Sequence, residues 1–197
     1  MQDIVLDRIC KSFDGTPVLQ NISAVLPAGQ ITCLMGPSGC GKTTLVNILL
    51  GLLPADSGAM TGLPRRLSAV FQEDRLLEEF SATLNAGFAN PKLPRAVVRN
   101  HLKAVGLADA ADSPAGTLSG GMKRRVAIVR AVLATADFLV LDEPFKGLDD
   151  DTRRLVMDYF MTETRGKTLL VVTHSAREAA IHGGTLLRLA PIAPTGE

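Results

Sequence analysis

The chain has 197 residues, 46% of them hydrophobic and 21% charged, which suits one globular domain with a sizeable core and excludes a disordered protein. Its 21 basic and 20 acidic residues leave a net charge of +1, so no overall basic field attracts nucleic acid. No apolar stretch approaches the ~20 residues of a membrane-spanning helix, and the acidic start MQDIVLDRIC is unlike a signal peptide. We therefore expect a cytoplasmic chain whose three cysteines are reduced thiols.

The strand signals come first along the chain. Short alternating segments over residues 4–26 predict a small antiparallel sheet. Residues 138–141 and 169–172 are apolar throughout and residues 31–35 are apolar except for Thr32, which is typical of strands buried on both faces of a parallel sheet. Ligands of open parallel sheets bind at the carboxyl ends of the strands. The residues that follow these three runs are therefore expected to carry the chemistry.

Helical signals occupy the middle of the chain. Apolar residues at helical spacing, with a glycine at one end, predict helices over residues 42–50, 95–105 and 120–134. Residues 73–117 lack a strong strand run and are interpreted as an inserted helical lobe. The tail after Leu189 is expected to be loose.

A glycine-rich loop follows the first buried run. The octapeptide fits the G-x-x-x-x-G-K-[ST] pattern and reads Gly36-Pro37-Ser38-Gly39-Cys40-Gly41-Lys42-Thr43. Backbone N–H groups of such a loop surround a β-phosphate, Lys42 adds a positive charge for the β- and γ-phosphates, and the Thr43 hydroxyl can ligate Mg²⁺. Thr44 can make a further phosphate contact. A chance glycine turn is the alternative, but the strand before and the helix after favour an ATP and Mg²⁺ site.

Two acids follow the second buried run. Asp142 stands where a carboxylate can hold Mg²⁺, and Glu143 is next in the chain, where it would point toward the attacking water. An isolated Asp-Glu pair would more often be a helix cap. Together with the glycine-rich loop, the pair is interpreted as a metal ligand and a catalytic base.

One further motif narrows the interpretation. Leu118-Ser119-Gly120-Gly121-Met122-Lys123 resembles the LSGGQ signature of the ABC ATPase family. Ser119 and the N–H groups of Gly120 and Gly121 would open a helix and form a second anion site. Met122 stands where glutamine is commonest, a variation similar to that of many bacterial importer ATPases. The basic run 123–125 that follows is expected to be a solvated helix face rather than a nucleic-acid site.

The resemblance implies roles for other residues. Gln72 resembles the Q-loop glutamine that senses Mg²⁺ and the attacking water, and Asp149 resembles the D-loop aspartate that meets a partner subunit. His174 resembles the switch histidine that contacts the γ-phosphate. Phe13 resembles the A-loop aromatic that stacks on adenine, although a strand aromatic is more often a core residue. His101 and His182 match no motif and are expected at the surface.

The fold implied by the resemblance is α/β. It comprises a P-loop NTPase core with a mainly parallel sheet, an N-terminal antiparallel β subdomain and an inserted helical subdomain. Residues 1–197 form a single ABC ATPase domain in this interpretation. Residues 1–72 and 135–197 make the nucleotide-binding core with the β subdomain, and residues 73–134 make the helical signature subdomain.

The function implied is ATP hydrolysis coupled to transport. In the family, the signature of one copy closes on the ATP of another. The expected partners are therefore a second copy in a head-to-tail homodimer, or a paralogous ATPase subunit, together with integral membrane permease subunits at the inner face of the membrane. Residues 71–77, FQEDRLL, resemble the nitrate, sulfonate and taurine importer branch, and import is favoured over export.

Two rival functions remain open, and the chain also departs from the family pattern. A soluble ABC ATPase acting on ribosomes or DNA is disfavoured by the single cassette and the lack of a heptad run. A nucleotide-binding scaffold without turnover is disfavoured by Glu143 and His174. Lys146 stands before the D-loop at a spot that often holds a small hydroxyl residue, and the hairpin region between residues 58 and 71 is compressed.

Overall fold

The computed structural model of the chain describes residues 2–173 and 184–192. Two compact units divide these residues. The first unit takes in the described residues up to Leu67 and from Gly166 onward, and the second unit runs from Ser68 to Arg165. Each unit has its own secondary structure and its own buried residues.

A three-stranded antiparallel sheet forms part of the first unit. Strands β1 (Ile4–Phe13) and β2 (Thr16–Leu26) make a hairpin, and β4 (Ser57–Thr61) pairs with the other edge of β1. The turn residues Asp14 and Gly15 both have positive φ values, 49° and 78°, which suits the twist of a two-residue hairpin turn. The apolar side chains that the strands bury are those of Ile4, Leu6, Ile9, Leu19 and Leu26.

Parallel strands form the rest of the first unit. Strand β3 (Ile31–Met35) lies between β7 (Thr168–Val172) and β8 (Thr185–Arg188), and both pairs are parallel. All five residues of β7 are buried, as expected of a strand covered on both faces. Helix α1 (Lys42–Leu49) follows β3 after a six-residue loop. This strand–loop–helix order places residues 36–41 at the carboxyl end of β3.

The second unit is mainly helical. Strand β5 (Leu67–Val70), which lies in this unit from Ser68 onward, and strand β6 (Phe138–Asp142) are hydrogen-bonded neighbours. Its helices are α2 (Ala82–Gly87), α3 (Arg95–Ala104), the 3₁₀ turn Ala115–Thr117, α4 (Gly120–Leu133) and α5 (Asp150–Glu163). Helix α4 is central to the core because residues 126–129 of this helix are all fully buried. Helix burial of this extent leaves α4 little freedom to move within the unit.

The structure confirms the α/β fold class and the three predicted buried strands. The helices expected at residues 42–50, 95–105 and 120–134 are present with ends shifted by one residue, and residues 73–134 contain no strand. The hairpin expected between residues 58 and 71 is wrong, because β4 pairs with β1 and β5 pairs with β6 rather than with each other. Strand β8 and helix α5 were not predicted. The division into residues 1–72 with 135–197 and 73–134 stays a prediction. No disulfide joins Cys10, Cys33 and Cys40, and no helix in the described part of the chain is long and apolar enough to cross a bilayer.

Replacing Phe138 by alanine tests the core of the second unit. Its ring is fully buried in β6, so Phe138→Ala is expected to lower the free energy of unfolding by about 3–5 kcal/mol. Urea denaturation followed by circular dichroism measures the change. Leu52→Ala is the control, because this leucine is 60% exposed and its loss should change stability by less than about 0.5 kcal/mol. Equal stability of the two variants would contradict the placement of Phe138.

Candidate nucleotide site

The glycine-rich loop of the first unit is tightly built. A Cβ on Gly36 would lie 2.5 Å from the carbonyl oxygen of Leu189 and 2.6 Å from Cys40 Sγ, so no larger residue fits there without a shift. Gly39 and Gly41 have φ values of 78° and 93°, a region that residues with a Cβ rarely adopt. The loop between β3 and α1 therefore depends on its glycines, as a backbone phosphate cradle requires.

Lys42 lies against this loop. Its Nζ donates hydrogen bonds to the carbonyl oxygens of Gly36 (2.8 Å) and Pro37 (2.7 Å), and the residue is 8% exposed. Helix α1 begins here with Gly41 as its N-cap and has no side-chain cap. An ammonium group and an uncapped helix N-terminus both favour an anion. Thr43 is exposed and Thr44 half-buried on the first turn of α1.

Phe13 is a surface aromatic rather than a core residue. It is the last residue of β1 and is 45% exposed. Lys11 Nζ lies 5.6 Å from the centre of its ring and also pairs with Asp56 at 2.5 Å. The hydrogen bond from Lys11, with a second from the Ser12 N–H, holds the pKa of Asp56 below its usual value. An exposed ring held in this way suits stacking on a planar group.

The acidic pair of the second unit lies at the end of β6. Asp142 is the last residue of the strand, and Glu143 follows with a left-handed backbone, φ 47°. Lys146 contacts Glu143 twice. Its Nζ lies 2.6 Å from Glu143 Oε2, and its N–H donates to the Glu143 carbonyl oxygen at 3.2 Å. The carboxylate predicted to be the base is therefore paired with the residue that departs from the family pattern.

The signature residues form the exposed start of α4. Ser119 is the N-cap, and its hydroxyl oxygen accepts a hydrogen bond from the Met122 N–H at 3.3 Å. A Cβ on Gly120 would meet no atom within 4 Å, and one on Gly121 would lie 3.4 Å from Leu148 Cδ2. The helix N-terminus is therefore open at Gly120 and adjoins the loop before α5 at Gly121.

Asp149 caps the next helix of the same unit. Its carboxylate accepts a hydrogen bond from the Thr152 N–H at 2.9 Å, and this bond holds the pKa of Asp149 below its usual value. Arg153 donates to the Leu148 carbonyl oxygen at 3.0 Å. These bonds fix the loop that carries Asp149 to the start of α5. A role toward a partner subunit stays a prediction.

The segment after β5 is bound to α4 through its main chain. Arg124 donates to the carbonyl oxygens of Phe71 (2.6 Å) and Gln72 (2.5 Å), and its guanidinium lies 3.2 Å from Asp74. Arg130 donates to the carbonyl oxygens of Asp74 and Arg75, both at 2.8 Å. The Gln72 residue itself is exposed. The predicted Q-loop and the signature helix are thus joined by two arginines.

The basic run 123–125 is not the solvated face that the sequence predicted. Arg124 is only 6% exposed because it binds the two carbonyls after β5. Arg125 donates to the carbonyl oxygens of Val105 (2.9 Å) and Gly106 (3.2 Å), and burial lowers its pKa. Lys123 pairs with Glu78 at 3.3 Å. Charge alone could not reveal these partners, because main-chain carbonyls leave no mark in a sequence.

The predictions for the three histidines have different outcomes. His174 and His182 lie outside the described residues. His101 is half-buried rather than at the surface, because its Nδ1 lies 2.9 Å from the hydroxyl oxygen of Tyr159. Burial raises the pKa of Tyr159 above its usual value. His101 and Tyr159 therefore have a packing role between α3 and α5.

The predicted metal ligands are chemically suited to Mg²⁺. Thr43 offers a hydroxyl oxygen, Asp142 a carboxylate and Gln72 an amide oxygen, all hard donors that this ion prefers. Thr43 and Gln72 are exposed, and Asp142 is half-buried. Each side chain is thus accessible from solvent on its own unit. The donor set fits the ion.

Comparison with known proteins agrees with these features. A family model described as "ABC transporter" matches residues 19–146. The aliphatic sulfonates import ATP-binding protein SsuB 1 of Pseudomonas savastanoi pv. phaseolicola is 40% identical, over 91% of this chain and 76% of its own length. The taurine import ATP-binding protein TauB of Roseobacter denitrificans is 36% identical, over 90% and 72%.

A solved structure supports the fold. The structure of a bacterial Atm1-family ABC exporter with ATP bound aligns with a TM-score of 0.84 at 24% identity, over 98% of this chain and 38% of that chain. At this identity the likeness concerns the fold alone. The family match and the two import relatives carry the assignment further. The chain belongs to the ABC transporter family, as an ATP-binding subunit.

Proposed function

We propose that this chain is the ATP-hydrolysing subunit of an ABC importer, which dimerises on ATP and drives separate permease subunits. The observation that carries the proposal is that one chain presents two helix starts suited to phosphate, that of α1 after the glycine-rich loop and the exposed start of α4 after Ser119. One nucleotide needs only one cradle. A second anion site on the same chain is explained by a second nucleotide, held by another copy.

The first unit binds the nucleotide in this proposal. Residues 36–41 surround the β-phosphate with backbone N–H groups, and Lys42 exchanges its two carbonyl partners for phosphate oxygens. Phe13 stacks on the adenine. Thr43 would hold Mg²⁺, a Lewis acid that would stabilise the negative charge on the phosphate oxygens.

The second unit carries the residues that act on water and metal. Asp142 and Gln72 would supply oxygen ligands to Mg²⁺. Glu143 accepts a proton from a water molecule as the water oxygen attacks the γ-phosphorus in line, and the bond to the β-γ bridging oxygen breaks to leave ADP and inorganic phosphate. Glu143 must leave Lys146 Nζ to do so. Ion pairs with an exposed partner are worth about 1 kcal/mol or less, so this exchange is not a large barrier.

The dimer completes each site. Ser119, Gly120 and Gly121 of one copy would close on the γ-phosphate held by the cradle of the other, in a head-to-tail homodimer or with a paralogous ATPase subunit. Asp149, which is fixed beside Gly121 through Leu148, would lie at the same interface. His174 would contact the γ-phosphate. Hydrolysis removes the phosphate that joins the two copies, and the dimer opens.

A patch on the second unit suits the permease. Four large apolar side chains are exposed there, Leu77, Phe80, Leu84 and Phe88, at 51%, 43%, 40% and 47%. The rings of Phe80 and Phe88 meet edge to face with centroids 5.6 Å apart. An apolar cluster of this kind at a surface is typical of a protein–protein contact. We propose that it receives a cytoplasmic helix of the permease, which would hold the chain at the inner face of the membrane.

The cargo proposed is an organic sulfonate such as taurine. Both relatives described above are named for sulfonate or taurine import. Selection of the cargo would belong to the permease and its binding protein, because the groups in this chain bind ATP and the permease.

Replacing the proposed base tests hydrolysis and dimerisation together. Glu143→Gln keeps the shape of the side chain but cannot accept a proton, so phosphate release should fall by about 100-fold or more. ATP should still bind, and gel filtration with Mg-ATP should show a stable dimer. Glu163→Gln, at the exposed end of α5, is the control. Normal turnover by Glu143→Gln, or a monomer under these conditions, would refute the proposal.

Adding one methyl group to the loop tests the cradle. Gly36→Ala would force its Cβ against Leu189 and Cys40, so the loop must shift and the Kd for ATP should rise by about tenfold or more. Titration with a fluorescent ATP analogue measures it. In the control Gly87→Ala the added methyl group would meet only Val98 at 3.7 Å, and the Kd should not change. An unchanged Kd for Gly36→Ala would argue against the cradle.

A charge placed in the apolar patch tests permease docking. Leu84→Glu should abolish co-purification with the co-expressed permease, because a carboxylate would have to lose its water at the contact. The ATPase activity of the isolated chain should not change. Leu52→Glu, at a leucine exposed in the first unit, should leave co-purification intact. Normal recovery of the complex with Leu84→Glu would rule out this surface.

A further inference from the structure

We propose that Arg124 is a positioning residue that fixes the backbone of Gln72 to the signature helix, so that the two ATP sites of the dimer are coupled through α4. This inference rests on the proposed function and adds a means by which the two ATP sites communicate. It concerns how one site responds to the other, rather than which residues touch ATP.

The guanidinium of Arg124 holds two successive carbonyls. Its Nη1 donates to the Phe71 oxygen at 2.6 Å and its Nη2 to the Gln72 oxygen at 2.5 Å. The planar fork of an arginine fixes direction as well as distance when both ends are bonded. Because Arg124 is 6% exposed, water competes little for these bonds. The Gln72 backbone is therefore fixed while its side chain remains exposed.

A second arginine and a carboxylate reinforce the arrangement. Arg130 binds two further carbonyls of the same segment, those of Asp74 and Arg75. The Asp74 carboxylate lies 3.2 Å from Arg124, and its side chain is only 20% exposed. Burial raises the pKa of Asp74, although the charges of Arg124 and Arg130 oppose that shift. In all, four of the five carbonyls from Phe71 to Arg75 are bonded to α4.

The same helix carries the signature. Arg124 is five residues after Ser119, a rise of about 7.5 Å along the axis. Residues 126–129 of α4 are buried, so the helix moves with its own unit as one body. A displacement of the helix start would therefore move the Gln72 backbone by nearly the same distance. In the proposed dimer, the helix start serves the ATP of the other copy and Gln72 serves the ATP of its own.

Coupling of this kind predicts cooperative hydrolysis. Binding of ATP against the start of α4 would displace this helix together with its unit and thereby move the Gln72 backbone at the other site, a coupling free energy between two sites. An arginine that only stabilised the fold would affect stability and leave the cooperativity unchanged. The steepness of the rate against ATP concentration distinguishes the two roles.

The test uses Arg124→Gln in the full-length purified protein. ATP hydrolysis is measured against ATP concentration at saturating Mg²⁺. We expect the Hill coefficient to fall from near two, the number of sites, toward about one, and kcat to fall by about tenfold. The Kd of the monomer for a fluorescent ATP analogue should stay within about twofold, because the cradle is unchanged. An unchanged Hill coefficient and kcat would overturn the proposal.

Two further variants make the result specific. Arg125→Gln removes a neighbouring arginine that also binds carbonyls, those of Val105, Gly106 and Gly121. None of these lies in the segment after β5, so the change should lower thermal stability without changing the Hill coefficient. Equal loss of cooperativity in Arg125→Gln would count against the proposal. Arg124→Lys can bond one carbonyl in place of two and should show a partial loss. It also carries the test if Arg124→Gln is not recovered folded.

Failure of the proposed function would look different. It would appear in the unmodified chain, as no ATP hydrolysis, or as a monomeric Glu143→Gln protein with Mg-ATP. Failure of the present inference alone would appear as a cooperative, dimeric parent whose Arg124 variants keep its Hill coefficient.

Discussion

Buried main-chain carbonyl groups outside helices and strands need a hydrogen-bond donor. In this chain, cationic side chains supply the donors at the loops that carry the predicted site. A buried carbonyl without a partner destabilises a fold by roughly 1–3 kcal/mol. Lys42 serves the glycine-rich loop, and Arg124 and Arg130 serve the segment after β5. Arg125 and Arg153 serve the loops after α3 and before α5. The glycine-rich loop, the segment after β5 and the loop before α5 are thus each held by a cation.

This use of charge explains which parts of the structure the sequence could predict. Apolar runs in the sequence predict the buried strands, and the pattern of the glycine-rich loop predicts one backbone conformation. The buried state of Arg124 has no such signal, because the run 123–125 reads equally well as a solvated face. Its partners are carbonyls, which every residue has. The pairing of β4 with β1 was not predicted either, since four of the five residues of β4 are exposed and show no alternation.

The residues around Glu143 illustrate a second limit on what can be predicted from the sequence. A left-handed backbone at a residue with a long side chain is unfavourable by roughly 1–2 kcal/mol, and such conformations gather at functional positions. Lys146 offsets this through both its N–H and its side chain. The sequence marked Lys146 as a departure from the family pattern, but it could not show the partner. Only the turn that joins β6 to the loop before α5 brings the two side chains together.

The helix starts of the second unit differ in what they will accept. Helix α5 begins with Asp149 as its cap and has Asp150 and Asp151 in its first turn, so its N-terminal field is cancelled by negative charge. Helix α4 has no acid in its first turn, and its cap Ser119 accepts from Met122 while the hydroxyl keeps its own hydrogen to donate. The start of α5 therefore repels a phosphate, and the start of α4 attracts one. The charge composition of the two first turns therefore favours an anion at α4 over α5 before any dimer forms.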